Sequence, residues 1–155
     1  MAEKSSPVLI VESRFYEDLA DELAKGATQV LERARVPYER LAVPGVFEVP
    51  AAICYALRSM EAHSASAPYA GFVALGCVIR GETDHYDHIC REASRALMDI
   101  AINHYAALGF GILTCETYEQ ARVRAAVDQK NKGADAAVAC LRMMEIKKIL
   151  RLVPR

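Results

Sequence analysis

The chain has 155 residues, enough to bury one core, and its 19 Lys and Arg against 20 Asp and Glu leave a net charge of -1. That balance excludes the basic footprint of a nucleic-acid binder and the polybasic patch of a membrane-surface protein, so a small-molecule partner is expected. No apolar run reaches the roughly 20 residues of a membrane span, and the opening MAEKSSP is too short and charged for a signal peptide; the expected compartment is the cytoplasm.

The first element is the β-rich run PVLIVE at 7–12, followed by a segment with apolar residues at Leu19, Leu23, Ala27, Val30 and Leu31, which is helical spacing. YERLAVPG gives a second short strand ending at Pro44-Gly45. VPAAICYALRSMEAH then reads as a helix with Pro50 in its first turn, where the missing N–H does no harm. SASAPYAG is a linker by composition.

The third strand, Phe72 to Ile79, is apolar almost without a break, as in a parallel strand covered on both faces. Ile89, Ala93, Leu97, Ile100 and Ala101 form the stripe of the next helix. GFGILTC is a fourth strand, and TYEQARVRAAVDQK and GADAAVACLRMMEIKKILRL are two closing helices separated near Asn131-Lys132-Gly133.

Strand and helix alternate throughout, which calls for right-handed crossovers between parallel strands. The expected fold is α/β: a three-layer α/β/α sandwich of flavodoxin-like kind, with about four parallel strands and helices on both faces. Residues 1–155 are expected to form a single domain, with 1–6 a flexible N-terminal arm. The five cysteines are scattered and lack a CxxC pair, so they fit neither a disulfide framework nor a zinc ribbon.

Ligands of such sheets sit beyond the carboxyl ends of the strands. That rule selects Ser13 to Phe15, Pro44 to Glu48, Gly81 to His88 and Thr114 to Glu116. The third place, RGETDHYDHIC, is the richest in proton-handling groups. His85 falls in the first turn of a helix, with Thr83 or Asp84 as N-cap. There it is either a solvated capping residue or a proton carrier beside an anion-binding helix end. Glu82 would repel an anion if it pointed inward and is expected to point away. His85 and His88 share a helix face, but a zinc site needs a third ligand and supporting shell that the spacing does not supply.

Phe15 either stacks on a flat heterocycle or folds onto its own helix. Pro44-Gly45 lets backbone approach a ligand, and Glu48 is either an acceptor for hydroxyl groups or an acid favoured by the helix dipole. Arg124 and Lys132 are either phosphate clamps or solvated side chains.

SRF after strand one, VPGVFEVP after strand two, ALGCVIRGETDHYDHICREASRAL around strand three, then GFGILTCETYEQARVRA and NKGADAA, together resemble the lumazine synthase family in order and spacing, over nearly the whole chain from Pro7. The resemblance implies a transferase of riboflavin biosynthesis. Its reaction condenses 5-amino-6-(D-ribitylamino)uracil with 3,4-dihydroxy-2-butanone 4-phosphate to 6,7-dimethyl-8-ribityllumazine, releasing phosphate and water, with no cofactor or metal. By the same resemblance Phe15 stacks on the pyrimidine, Val46, Phe47 and Glu48 line the ribityl and pyrimidine pocket, and Val78 and Ile79 contact the pyrimidine. Gly81, Glu82 and Thr83 face the phosphate, Arg124 anchors it and His85 transfers protons.

Phe110, Arg124 and Lys132 would come from a neighbouring subunit, making the enzyme a homo-oligomer. Asp128 stands where relatives often carry Lys, and Lys130 where a Gly is frequent. With the short arm, these departures favour a pentamer over a sixty-subunit capsid. The alternatives are a non-catalytic flavin- or lumazine-binding homologue, a flavodoxin-like scaffold whose polar turns are only loops, and a metal hydrolase built on His85 and His88.

Overall fold

The computed structural model describes residues 5–63 and 69–152. Residues 1–4 of the expected arm and 64–68 of the expected linker lie outside the described residues. Four parallel strands, β1 (Val8–Ser13), β2 (Tyr38–Val43), β3 (Gly71–Ile79) and β4 (Leu108–Cys115), form one sheet in the order β2-β1-β3-β4. Helices α1 (Glu17–Arg33), α4 (Tyr118–Ala125) and α5 (Lys132–Ile149) cover one face; α2 (Val49–Ala62) and α3 (His85–Asn103) cover the other. The three-layer α/β fold expected from the alternation is the observed one.

Each central strand divides its side chains between the two layers by its period of two. Val8 and Ile10 of β1, with Val73 and Leu75 of β3, pack under α1 and α5. Leu9 and Val11, with Phe72 and Ala74, pack under α2 and α3. Burial on both faces explains the unbroken apolar runs of β1 and β3. β2 is an edge strand with four of its six residues exposed, which is why YERLAV carries charge.

Glu12 interrupts the apolar run near the end of β1. It is 2% exposed, and its carboxylate accepts from Arg40 Nε at 2.9 Å and Arg40 Nη2 at 2.8 Å, and from Arg14 Nη1 at 2.7 Å. A buried carboxylate held this way ties β1 to β2 and, through the Arg14 contact with Asp21, to α1.

α5 lies close against its neighbours at two glycines. A Cβ at Gly109 would sit 1.9 Å from the Ala136 carbonyl oxygen, and one at Gly133 would sit 2.0 Å from that of Leu23. The sequence predicts a fourth helix running to Lys130, but α4 ends at Ala125. Its buried stripe is only Ala121 and Ala125, and Ala126 turns out of the helix at ψ 127. The following amides of Gln129 and Asn131 bond back to the Ala126 carbonyl, so residues 126–131 form a compact turn instead.

Candidate active site

β1 and β3 are neighbours in the sheet, yet the chain leaves them in opposite directions, β1 toward β2 and β3 toward β4. A crevice opens at such a reversal, outside the carboxyl ends of the strands. Here it is a groove of about 700 Å³, within the range of small-molecule sites.

One wall comes from the end of β1. Phe15 is 71% exposed and its ring meets that of Tyr16 edge-on, with centroids 5.0 Å apart. The half-buried Tyr16, with its hydroxyl pKa raised by burial, anchors against the core beside Cys77. The facing wall is the segment Pro44 to Glu48 after β2. Val46 is buried, Phe47 is 64% exposed, and the 3₁₀ turn Val46–Glu48 leads straight into α2. The Glu48 amide donates to the Gly45 carbonyl at 3.2 Å, which fixes this turn. Two exposed aromatic rings thus stand at the mouth of an apolar slot, an arrangement suited to a flat heterocycle.

Cys77, Val78 and Ile79 at the end of β3 form the floor. Burial pushes the Cys77 thiol up to about 12, so it remains a neutral apolar surface near neutral pH. The far end of the groove is the turn Gly81 to Asp84 with the first turn of α3. Gly81 has open space on its Cα, and the Thr83 hydroxyl accepts from the His85 amide at 3.3 Å. Thr83 therefore serves α3 from just outside it; Asp84 is the N-cap residue but makes no side-chain cap bond and pairs with His88 instead. His85 lies on the groove, whereas His88 points its imidazole to Asp84 at 3.2 Å. No group of three or more metal-ligating side chains is assembled among the described residues.

Of the residues singled out in the sequence, Phe15, Val46, Phe47, Glu48, Val78, Ile79, Gly81, Thr83 and His85 line this one groove. Glu82 is exposed beside it and does not line it. Phe110, Arg124 and Lys132 are not brought to it. Phe110 is on the edge strand β4, Arg124 at the end of α4 donates to the Gln120 carbonyl at 3.0 Å, and Lys132 opens α5 and pairs with Asp135 at 3.1 Å. Tyr16, Cys77, Tyr86 and Ile89 line the groove and were missed. Tyr16 and Tyr86 each adjoin a residue that was found, and that adjacency was the available signal.

The groove of one chain carries the carboxylate of Glu48 but no Lys or Arg among its lining residues. It offers a helix N-terminus, an imidazole, hydroxyls and two aromatic faces. An aromatic substrate with hydroxyl groups is well served, while a phosphate dianion finds only the helix end and His85.

Comparison with known proteins places this geometry in a family. The family model described as 6,7-dimethyl-8-ribityllumazine synthase matches residues 5–148. The protein of that name from Agrobacterium fabrum is 51% identical over 143 residues, covering 92% of this chain and 95% of its own length. That from Bartonella tribocorum is 50% identical over 145 residues, covering 94% and 92%. That from Methylorubrum populi is 47% identical over 147 residues, covering 95% and 86%.

Proposed function

We propose a mechanism on the premise that the chain belongs to the 6,7-dimethyl-8-ribityllumazine synthase family. The enzyme is a transferase of riboflavin biosynthesis that condenses 5-amino-6-(D-ribitylamino)uracil with 3,4-dihydroxy-2-butanone 4-phosphate. An amine adds to the ketone and loses water to give an imine; an enol then forms and expels phosphate, the eliminated product tautomerises to a ketone, and the second amine condenses on that ketone and loses a second water as the ring closes. Each step needs positioning and proton transfer rather than a strong nucleophile.

The pyrimidine stacks on Phe15 over the floor of Val78 and Ile79, and its ribityl chain runs along Val46 and Phe47 with hydroxyls donating to Glu48. The phosphate rests on the turn of Gly81, Glu82 and Thr83 at the start of α3. His85, on the groove side of that helix end, carries protons between imine, enol and leaving group. The observation that carries this reading is the convergence of Phe15, Phe47, Glu48, Thr83 and His85, from three different strand ends, on one apolar slot.

The absence of a lining cation supports a shared site: Phe110, Arg124 and Lys132 of a second copy complete the groove, with Arg124 anchoring the phosphate. Because groove and anchors occupy different edges of the chain, the contact is head-to-tail, which gives a ring where its rotation closes, and the closed ring is the assembly proposed. A homopentamer is favoured over a sixty-subunit shell by Asp128 and Lys130, both exposed in the link before α5, and a sedimentation value of capsid size would contradict it. The whole of 1–155 acts as one domain in the cytoplasm; among the described residues no helix is long and apolar enough to cross a membrane.

The assay is purified protein with both substrates, followed by lumazine absorbance and released phosphate and corrected for the spontaneous reaction. Equal amounts of the two products, formed well above the blank and about a hundredfold more slowly in His85→Ala, are expected. Tight lumazine or flavin binding without turnover would favour the non-catalytic homologue.

A further inference from the structure

β3 is followed by an arginine, Arg80, whose guanidinium meets three side chains. The Arg80 amide donates to the Cys115 carbonyl at 2.9 Å, so the β3–β4 ladder continues one residue past the strand. Its Nη2 lies 3.1 Å from Asp87 Oδ1 and its Nη1 3.4 Å from Asp87 Oδ2, while Nε lies 2.9 Å from Glu116 Oε2. The guanidinium carbon also lies 4.4 Å from the centre of the Tyr86 ring, a cation–π contact.

These partners belong to two elements. Tyr86 and Asp87 directly follow His85 in the first turn of α3, and Tyr86 lines the groove beside it. Glu116 stands at the β4–α4 corner, where its backbone is also held: its amide donates to the Gln120 side chain at 2.9 Å. One planar fork therefore clamps the His85-bearing helix end to the edge of the sheet.

Building on the function proposed above, we propose that Arg80 is a positioning residue for proton transfer, holding His85 in place through Tyr86 and Asp87 without touching either substrate. Asp87 and Glu116 already occupy the guanidinium, so it is not free to anchor the phosphate itself. Exposed ion pairs of this kind contribute little to global stability, so loss of the clamp registers in the geometry of the site. A lysine cannot replace it, because an ammonium lacks the fork that spans both carboxylates while stacking on a ring.

The test is steady-state kinetics of Arg80→Gln, Arg80→Lys and Asp87→Asn, with melting and sedimentation as controls. In Arg80→Gln, kcat is expected to fall about tenfold or more while both KM values stay within about twofold; Arg80→Lys should resemble it. In a His85→Ala background Arg80→Gln should cost nothing further, because the clamp acts through the imidazole. An unchanged kcat, a KM rise confined to the butanone phosphate, or an undiminished loss in the His85→Ala background would each overturn the inference. If Arg80→Gln does not assemble, Asp87→Asn is read by the same criteria. Wild-type protein without condensation activity would overturn the functional reading and this inference together, whereas active wild type with an unaffected Arg80→Gln would overturn this inference alone.

Discussion

His85 stands on the groove wall directly after the N-cap of α3, close beyond the turn in which Gly81 leaves open space at its Cα. General acid–base catalysis is worth about 10²- to 10⁴-fold, so His85→Ala should lower kcat by about a hundredfold and leave both KM values nearly unchanged. Arg124→Ala should instead raise the requirement for butanone phosphate far more than for the pyrimidine; equal effects on the two would contradict its role as phosphate anchor. Burial holds the Cys77 and Cys140 thiols up at about 12 against an ordinary 9.0, and the hydrogen bond to Glu39 holds the Tyr69 hydroxyl up at about 12 against 10.0. Their stabilising contribution is complete below the ordinary values and is lost as pH climbs toward 12. The melting temperature should therefore decline above about pH 9, and a flat profile from there to pH 11 would refute this. Phe15, Phe47, Glu48 and His85 were legible because each stands where a strand ends. Cys77 was not, because nothing in an apolar strand says which member faces the ligand.

At the scale of elements, the packing of α5 is the most demanding feature. Ala at Gly109 or Gly133 would force a Cβ into a backbone oxygen, and backbone cannot step aside as a flexible side chain can. Each substitution should cost about 2 kcal/mol, read as a lower urea midpoint, and an unchanged midpoint would show that α5 shifts freely. Removing Glu12 with Ala leaves two arginines facing a buried vacancy and should cost about 3 kcal/mol, toward the low end for a broken buried pair because both arginines reach solvent. The strands and long helices could be read from periodicity, since β1, β3, α1 and α3 bury one or both faces. The end of α4 could not. TYEQARVRAAVDQK holds no glycine or proline to break a helix, and what stops it is the local turn that bonds Gln129 and Asn131 to the Ala126 carbonyl.

For the whole molecule, the decisive fact is that the groove and its expected cations lie apart. The groove opens at the β1–β3 reversal, while Phe110, Arg124 and Lys132 belong to the β4, α4 and α5 side. Tyr55, Met98 and Ile102 on the outer faces of α2 and α3 are 74%, 60% and 62% exposed. The order of motifs does not by itself separate residues that would meet within a chain from residues that would meet between chains; only the family resemblance assigned Phe110, Arg124 and Lys132 to a neighbouring subunit. The most direct measurement mixes two defective proteins, His85→Ala and Arg124→Ala, dissociated and reassembled together at limiting butanone phosphate. A site shared head-to-tail predicts that about one quarter of the reassembled sites pair an intact His85 with an intact Arg124, restoring activity that neither parent has. Activity no higher than the parents' average, in hybrid rings verified by native mass spectrometry, would place both residues in one chain's site and contradict the account.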